Sequence, residues 1–101
     1  MTEPNLRVNL VEERGETSVF IDAEIDADGR LIITGEDIGK TPEEFWGDSD
    51  YEYWVAVEPD QKDRVLLALI ETLYKGDMQV VSKFRNLLSE KGIPSEFGSW
   101  V

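Results

Sequence analysis

Three carboxylates alternate along a short aromatic segment near the middle of the chain: Asp48, Asp50 and Glu52. In a β-strand such residues project on one side of the sheet, about 7 Å apart. The row offers oxygen ligands to a hard cation, or acceptors to Lys and Arg side chains of a partner. A metal ion would need further acids from the segment Glu36–Asp50, because one strand forms no cage. The alternative is that these charges only keep a sheet face soluble and prevent edge pairing.

A second acidic segment, Glu24–Leu31, begins like a calcium-binding loop. Acids occupy its first, third and fifth positions and Gly29 its sixth. The twelfth position, which needs a bidentate glutamate, holds Gly35. The flanking residues also have the alternation of strands rather than the period of helices. The segment is therefore predicted to be a tight hairpin with solvated acids and no metal.

The residue types of this 101-residue chain exclude much of enzyme chemistry. It contains neither Cys nor His, which removes disulfides, thiolate metal sites and imidazole-based triads. Acids are so numerous that a carboxylate pair at a catalytic separation would arise by chance, and so small a domain has little room for a deep cleft. No glycine-rich phosphate loop or basic nucleic-acid patch is present. We therefore expect a protein that is not an enzyme, needs no cofactor or metal and binds no nucleic acid.

The net charge of −12 is unevenly distributed along the chain. The first sixty residues carry seventeen acidic and four basic side chains, a balance of −13, whereas the last forty-one sum to +1. A one-sided acidic field favours a cationic partner. If repulsion among so many acids dominates, the carboxylate pKa values in the folded state lie on average above their unfolded values. Met1–Asn5 has no signal-peptide pattern and the longest apolar run, Val65–Ile70, is too short to span a bilayer, so a cytoplasmic protein without membrane contact is expected.

Alternating apolar residues predict four strands, at residues 6–11, 19–26, 31–34 and 50–57. Gly35 is expected to end the third strand, and an acidic loop with one helical turn at Pro42–Phe45 follows. The period then changes to that of helices. Pro59 suits the start of a first helix, and Lys75-Gly76-Asp77 reads as a C-terminal cation, a left-handed glycine and the N-cap of a second helix, which ends before Pro94. Leu69 and Phe84, each in the middle of its apolar stripe, are expected to meet.

This order predicts an α+β two-layer sandwich, in which an antiparallel four-stranded sheet packs on a C-terminal helical hairpin in the order β-β-β-β-α-α. The tail is either an extended segment or a fifth, edge strand. The chain is expected to be one domain, 1–101, with an acidic sheet and loop at 1–58, the hairpin at 59–92 and the tail at 93–101.

The predicted sheet has two unlike faces. If Val19, Ile21, Ala23 and Ile25 point to the helices, the other face mixes carboxylates with Phe20, Ile32 and Trp54. A solvated sheet face is normally polar without large aromatics, so this mixture is typical of an interface. In the alternative, Phe97 and Trp100 of the tail bury these aromatics. The candidate partner-binding residues are Asp48, Asp50, Glu52, Trp54, Trp46, Phe20, Asp22 and Glu24.

The segment Gly47-Asp48-Ser49-Asp50-Tyr51-Glu52-Tyr53-Trp54, the helical hairpin after it and Gly92-Ile93-Pro94 resemble a family of small acidic bacterial domains of unknown function. That resemblance supplies no site residues. In size and acidity the chain is also similar to immunity proteins that neutralise bacterial toxins. This likeness implies a basic protein partner, with a toxin as one candidate, bound by a monomer or weak dimer. The alternatives are a small-ligand or divalent-metal module at the acidic loop, and a housekeeping domain of unknown role.

Overall fold

The computed structural model describes residues 6–40 and 50–100 of the chain. Four strands come first, β1 (Leu6–Glu13), β2 (Thr17–Ile25), β3 (Leu31–Gly39) and β4 (Asp50–Val57). A short 3-10 turn, Pro59–Gln61, then leads into two helices, α1 (Lys62–Tyr74) and α2 (Val80–Glu90). The predicted α+β order, β-β-β-β-α-α, is confirmed. The fifth strand is not formed, since residues 93–100 have no strand structure.

The chain divides into two compact units, residues 1–65 and residues 66–101. The first unit contains the sheet, whose strands are all antiparallel and lie in the order β1-β2-β3-β4, each beside its neighbours in sequence. The second unit contains most of α1, all of α2 and the tail. The helical turn predicted at Pro42–Phe45 lies outside the described residues.

The strand register separates an apolar face of the sheet from a second, acidic one. Val8, Ala23, Ile33 and Val55 lie opposite one another across the four strands and so share the apolar face. The β1–β2 pairing shifts by one residue between Asn9 and Val11. This irregularity keeps Val11 on the apolar face although its spacing from Val8 is odd, and β1 continues for two residues beyond its predicted end.

β3 is five residues longer than predicted, because it does not end at Gly35. The ladder runs on through Glu36 and Asp37, which pair with Phe20 and Val19 on one side and with Glu52 and Tyr51 on the other. Hydrogen bonding on both sides outweighs the low strand propensity of glycine and acids. The prediction of an irregular acidic loop beginning at Glu36 is therefore wrong for Glu36–Gly39.

Asp26, one of the three acids that made this segment resemble a calcium-binding loop, accepts hydrogen bonds within the hairpin between β2 and β3. The Oδ1 atom of Asp26 accepts the backbone N–H groups of Asp28 and Arg30, both at 2.9 Å, and its Oδ2 accepts Nε of Arg30 at 2.9 Å. Gly29 takes a φ of 83° and donates its N–H to the Asp26 carbonyl at 3.0 Å. The tight hairpin is confirmed, but Asp26 is not simply solvated, since it holds the turn together.

The turn between the helices agrees with the sequence-based prediction at Gly76 and differs from it at Asp77. Gly76 has a φ of 84° just after α1, as its predicted role at the helix end requires. Asp77 accepts the backbone N–H of Gln79 at 2.9 Å and Nζ of Lys83 at 2.7 Å. The N-cap position of α2 is Gln79. Asp77 therefore closes the turn before the helix, and the prediction that it is the N-cap is wrong.

Inside the helical unit, α1 and α2 share a small apolar cavity of about 360 Å³ that Phe97 of the tail helps to line. Ile70 and Phe84 contribute to its wall, whereas Leu69 does not and is 53% exposed. The predicted contact between Leu69 and Phe84 stays a prediction. Ile70, one position and about 100° further around the helix, is the α1 residue that lines the cavity with Phe84.

Candidate protein-binding face

Six of the eight predicted site residues lie together on one side of the sheet. Asp22, Thr34 and Trp54 form one cross-strand row, and Phe20, Glu36 and Glu52 form the next. Antiparallel partners project on the same side, so the alternate residues of β2, β3 and β4 share this surface. We call it the acidic face; its residues are Phe20, Asp22, Glu24, Ile32, Thr34, Glu36, Asp50, Glu52 and Trp54. The other two predicted residues, Trp46 and Asp48, lie outside the described residues.

The acidic face presents an aromatic side chain to solvent. Trp54 is 69% exposed, Asp50 and Glu52 beside it are also exposed, and Phe20 is half-buried. The alternative in which the tail buries these aromatics stays a prediction. Trp100 is itself 99% exposed, and the ring of Phe97 lies under the Arg85 guanidinium, 3.9 Å from Cζ to the ring centroid.

Two carboxylates stand directly opposite each other on this face, in the pair Glu36 and Glu52. Like charges in such a position destabilise a sheet. Among the described residues neither forms an ion pair. Glu36 was missed as a site residue because Gly35 was expected to end the strand. The alternation Thr34, Glu36, Ile38 is the signal that would have placed it there.

Asp22 belongs to the acidic face, but its carboxylate already accepts hydrogen bonds from the Arg7 and Asn9 side chains of β1. Arg7 donates from both Nε and Nη2 to its Oδ2, with the Nε contact at 3.2 Å, and Nδ2 of Asn9 donates to its Oδ1 at 2.8 Å. These hydrogen bonds, the one from Arg7 foremost, hold the pKa of Asp22 below its ordinary value. Asp22 therefore ties β1 to β2 and adds little unpaired charge to the face.

A second arginine lies over the aromatic ring of the same face. The guanidinium of Arg14, in the turn after β1, stands 5.3 Å from the centroid of the Phe20 ring. Its Nη2 donates to Oε1 of Glu12 at 3.0 Å, and Glu12 is the β1 residue opposite Phe20. Glu12 and Arg14 were not predicted as site residues, because only the register places them beside Phe20.

Three carboxyl groups have pKa values that run against the expectation from charge repulsion. The backbone N–H of Arg30 leads the groups that lower the pKa of Asp26, and the Lys83 side chain leads those that lower the pKa of Asp77. With Asp22, three acids thus have pKa values shifted downward, each because donors converge on it. At these three acids the local hydrogen bonds and ion pairs outweigh the general repulsion, whereas the predicted average shift of all the carboxylates stays a prediction.

The metal-binding alternative finds no support in the strand geometry. Glu36 and Asp37 are consecutive strand residues and so project to opposite faces of the sheet. On the apolar side, Asp37 accepts the hydroxyl of Tyr53 at 2.8 Å. Within residues 6–40 and 50–100, no three acidic side chains are grouped so that they could hold a metal ion.

The two units differ sharply in charge. Residues 1–65 hold eighteen acidic and six basic side chains, and therefore the entire net charge of −12. Residues 66–101 hold four of each and sum to zero. The field of the protein therefore arises from the unit that bears the acidic face.

Comparison of the chain with protein-family profiles, with curated proteins and with solved structures gave no significant match. The resemblance to small acidic bacterial domains and to immunity proteins accordingly stays a prediction. Neither α1 nor α2, nor any other helix in the part of the chain described, is long and apolar enough to cross a membrane. The functional argument therefore rests on the geometry and charge of the acidic face.

Proposed function

We propose that the acidic face is a binding surface for a basic protein, and that the chain acts by binding its partner rather than by catalysis. The observation that carries this proposal is the strand register, which collects Phe20, Glu52 and Trp54 with four further carboxylates on one side of the sheet. Large aromatic side chains are the commonest binding hot spots, and carboxylates around them suit a cationic partner surface.

The charge of the sheet unit supports the same proposal. A field of −12 concentrated in one unit accelerates encounter with a positively charged protein and makes association sensitive to salt. The like-charged pair of Glu36 and Glu52 works against sheet stability, which fits carboxylates retained for binding. In its narrower form, the proposal takes the partner to be a toxin with a basic site and the chain to be its immunity- or antitoxin-like inhibitor in the bacterial cytoplasm. Size and charge are what support that narrower form.

Charge reversal on the face tests the proposal. Glu52→Lys and Trp54→Ala each alter an exposed side chain of the acidic face, so both should weaken binding. Glu90→Lys and Trp100→Ala are matched controls, because they make the same chemical changes at exposed positions of the helical unit. Loss of a central aromatic anchor commonly weakens binding by about tenfold or more.

The measurement is affinity capture from the native host on immobilised wild-type protein and the four variants. We expect wild type and both controls to retain basic proteins that Glu52→Lys and Trp54→Ala do not retain. Added salt should elute these proteins, because it screens the attraction between the charges. If all five proteins capture the same partners to the same extent, the acidic face is not the binding surface.

A further inference from the structure

A cross-strand row that runs from β1 into the acidic face places the ring of Phe20 between two carboxylates. Phe20 of β2 lies opposite Glu12 of β1 on one side and opposite Glu36 of β3 on the other. Neighbouring strands are about 4.8 Å apart, so both carboxylates lie within reach of a planar cation resting on the ring. A guanidinium group satisfies all three side chains, since it stacks on aromatic faces and donates hydrogen bonds in its own plane.

The free chain already holds such a group in this place. Arg14 stands over the Phe20 ring at 5.3 Å and donates to Oε1 of Glu12 at 3.0 Å. These are the two contacts that an arginine from another protein would make there: a cation–π contact and a charge-assisted hydrogen bond.

Arg14 is held loosely. Its side chain is 73% exposed, and its distance to the ring is well beyond the 3.9 Å at which Arg85 lies over Phe97. An exposed cation–π contact and an exposed ion pair each favour the bound arrangement by a factor of only about two to five. A partner that brings several cations to the face can therefore displace Arg14 at little cost.

We propose that the acidic face binds an arginine side chain of the basic partner on the ring of Phe20, in the place that Arg14 occupies in the free chain. This inference rests on the proposed function and narrows it to a partner that presents arginine rather than lysine. Departure of Arg14 leaves Glu12 without its cation, and Glu36 forms no ion pair within residues 6–40 and 50–100, so the vacated site is complementary in charge to the incoming guanidinium. A lysine ammonium is compact and strongly hydrated, and it cannot stack on the ring while reaching carboxylates on both sides.

Labelled oligo-arginine and oligo-lysine peptides of equal length and charge provide the test, with binding measured by fluorescence anisotropy at low salt. We expect wild type to bind the arginine peptide roughly two- to thirtyfold more tightly, the range that corresponds to one cation–π contact between its exposed and desolvated limits. Phe20→Leu keeps an apolar side chain in the strand but removes the ring face, so this preference should disappear.

Arg14→Ala gives an independent readout that does not depend on replacing a residue of the sheet. Arg64→Ala is its matched control, because it makes the same change in net charge and removes an exposed arginine of α1 that contacts Gln61. Both variants should bind either peptide somewhat more tightly through their extra negative charge. Arg14→Ala should gain about two- to fivefold more for the arginine peptide alone, since the ring is then vacant.

The outcomes separate this inference from the wider proposal. If the two peptides bind wild type equally and Phe20→Leu changes nothing, or if Arg14→Ala and Arg64→Ala gain equally, the arginine site is wrong while a basic partner stands. If neither peptide binds at low salt, the acidic face is not a receptor for basic proteins, and both proposals fail.

Discussion

The ring of Tyr53 on β4 lies over the backbone of Gly35 on β3, in the space that a side chain at position 35 would fill. The two residues are cross-strand partners, and a Cβ built on Gly35 would overlap the ring. Gly35 is also the one buried residue among those described. The hydroxyl of Tyr53 then reaches Asp37, two residues along β3, so the ring is fixed at both ends. Burial and this carboxylate raise the pKa of the phenol.

Gly35→Ala should therefore destabilise the protein. In an open strand the same change stabilises by about 0.5–1 kcal/mol, because alanine loses less backbone entropy on folding. Here the added methyl must displace the Tyr53 ring, and overpacking of this kind costs about 1–3 kcal/mol, so the net effect is unfavourable. Chemical denaturation is the measurement.

Gly15→Ala is the control, since a Cβ there meets no atom closer than 3.9 Å and its free energy of unfolding should change little. Combining Gly35→Ala with Tyr53→Val should restore part of the loss, because the obstructing ring is gone. Equal stability of Gly35→Ala and wild type would show that the ring does not occupy this space.

The same pair explains why the sequence predicted only part of the sheet. Alternation placed β2 to within two residues and put Phe20, Glu52 and Trp54 on one face, since a period-two pattern is clear wherever strand propensity is high. It failed at Gly35, because a glycine followed by acids looks like a loop and only the partner strands reveal otherwise. The acids beyond it, and Glu12 and Arg14 beside Phe20, are brought to the face by register, which single-strand patterns do not encode.

Reversing one charge of the like pair should strengthen the sheet. Glu52→Lys would face Glu36 across the β3–β4 ladder, and it converts a repulsive pair into an attractive one. Such cross-strand pairs are worth about 0.2–1 kcal/mol. We expect the midpoint of denaturation to rise slightly, although partner binding falls. Glu90→Lys, which makes the same charge change in α2, separates this local effect from the reduction in net charge. A lower midpoint for Glu52→Lys than for Glu90→Lys would contradict the assigned register.

Two adjacent residues of α1 test the interior of the helical unit. Ile70 lines the cavity with Phe84, whereas Leu69 is 53% exposed. Ile70→Ala should lower the free energy of unfolding by about 1–3 kcal/mol, less than for a fully buried site because Ile70 is only half-buried. Leu69→Ala removes a side chain of the same size and should cost less. Denaturation curves for both variants decide, and a larger loss for Leu69→Ala would reverse the assignment of the inner face.

The ion-paired acids set how stability depends on pH. The folded-state pKa of Asp26 lies below its unfolded value of about 3.9, so its carboxylate stabilises the fold fully at any pH above that unfolded value. The contribution is lost as the pH falls through the folded-state pKa, and Asp22 and Asp77 behave alike. We therefore expect melting temperatures that are nearly constant from pH 8 to about 5.5 and that fall below about pH 4.

Asp26→Asn isolates one of these clusters of donors, that of the β2–β3 hairpin. Without the charge, the contacts to the N–H groups of Asp28 and Arg30 weaken, so the variant should melt lower at pH 7 and lose less on acidification than wild type does. Asp28→Asn, in the same turn but with an exposed side chain, should change neither property. A wild-type melting temperature that rises steadily from pH 8 to 5.5 would mean that repulsion across the acidic face, rather than these local pairs, governs the titration of the carboxylates.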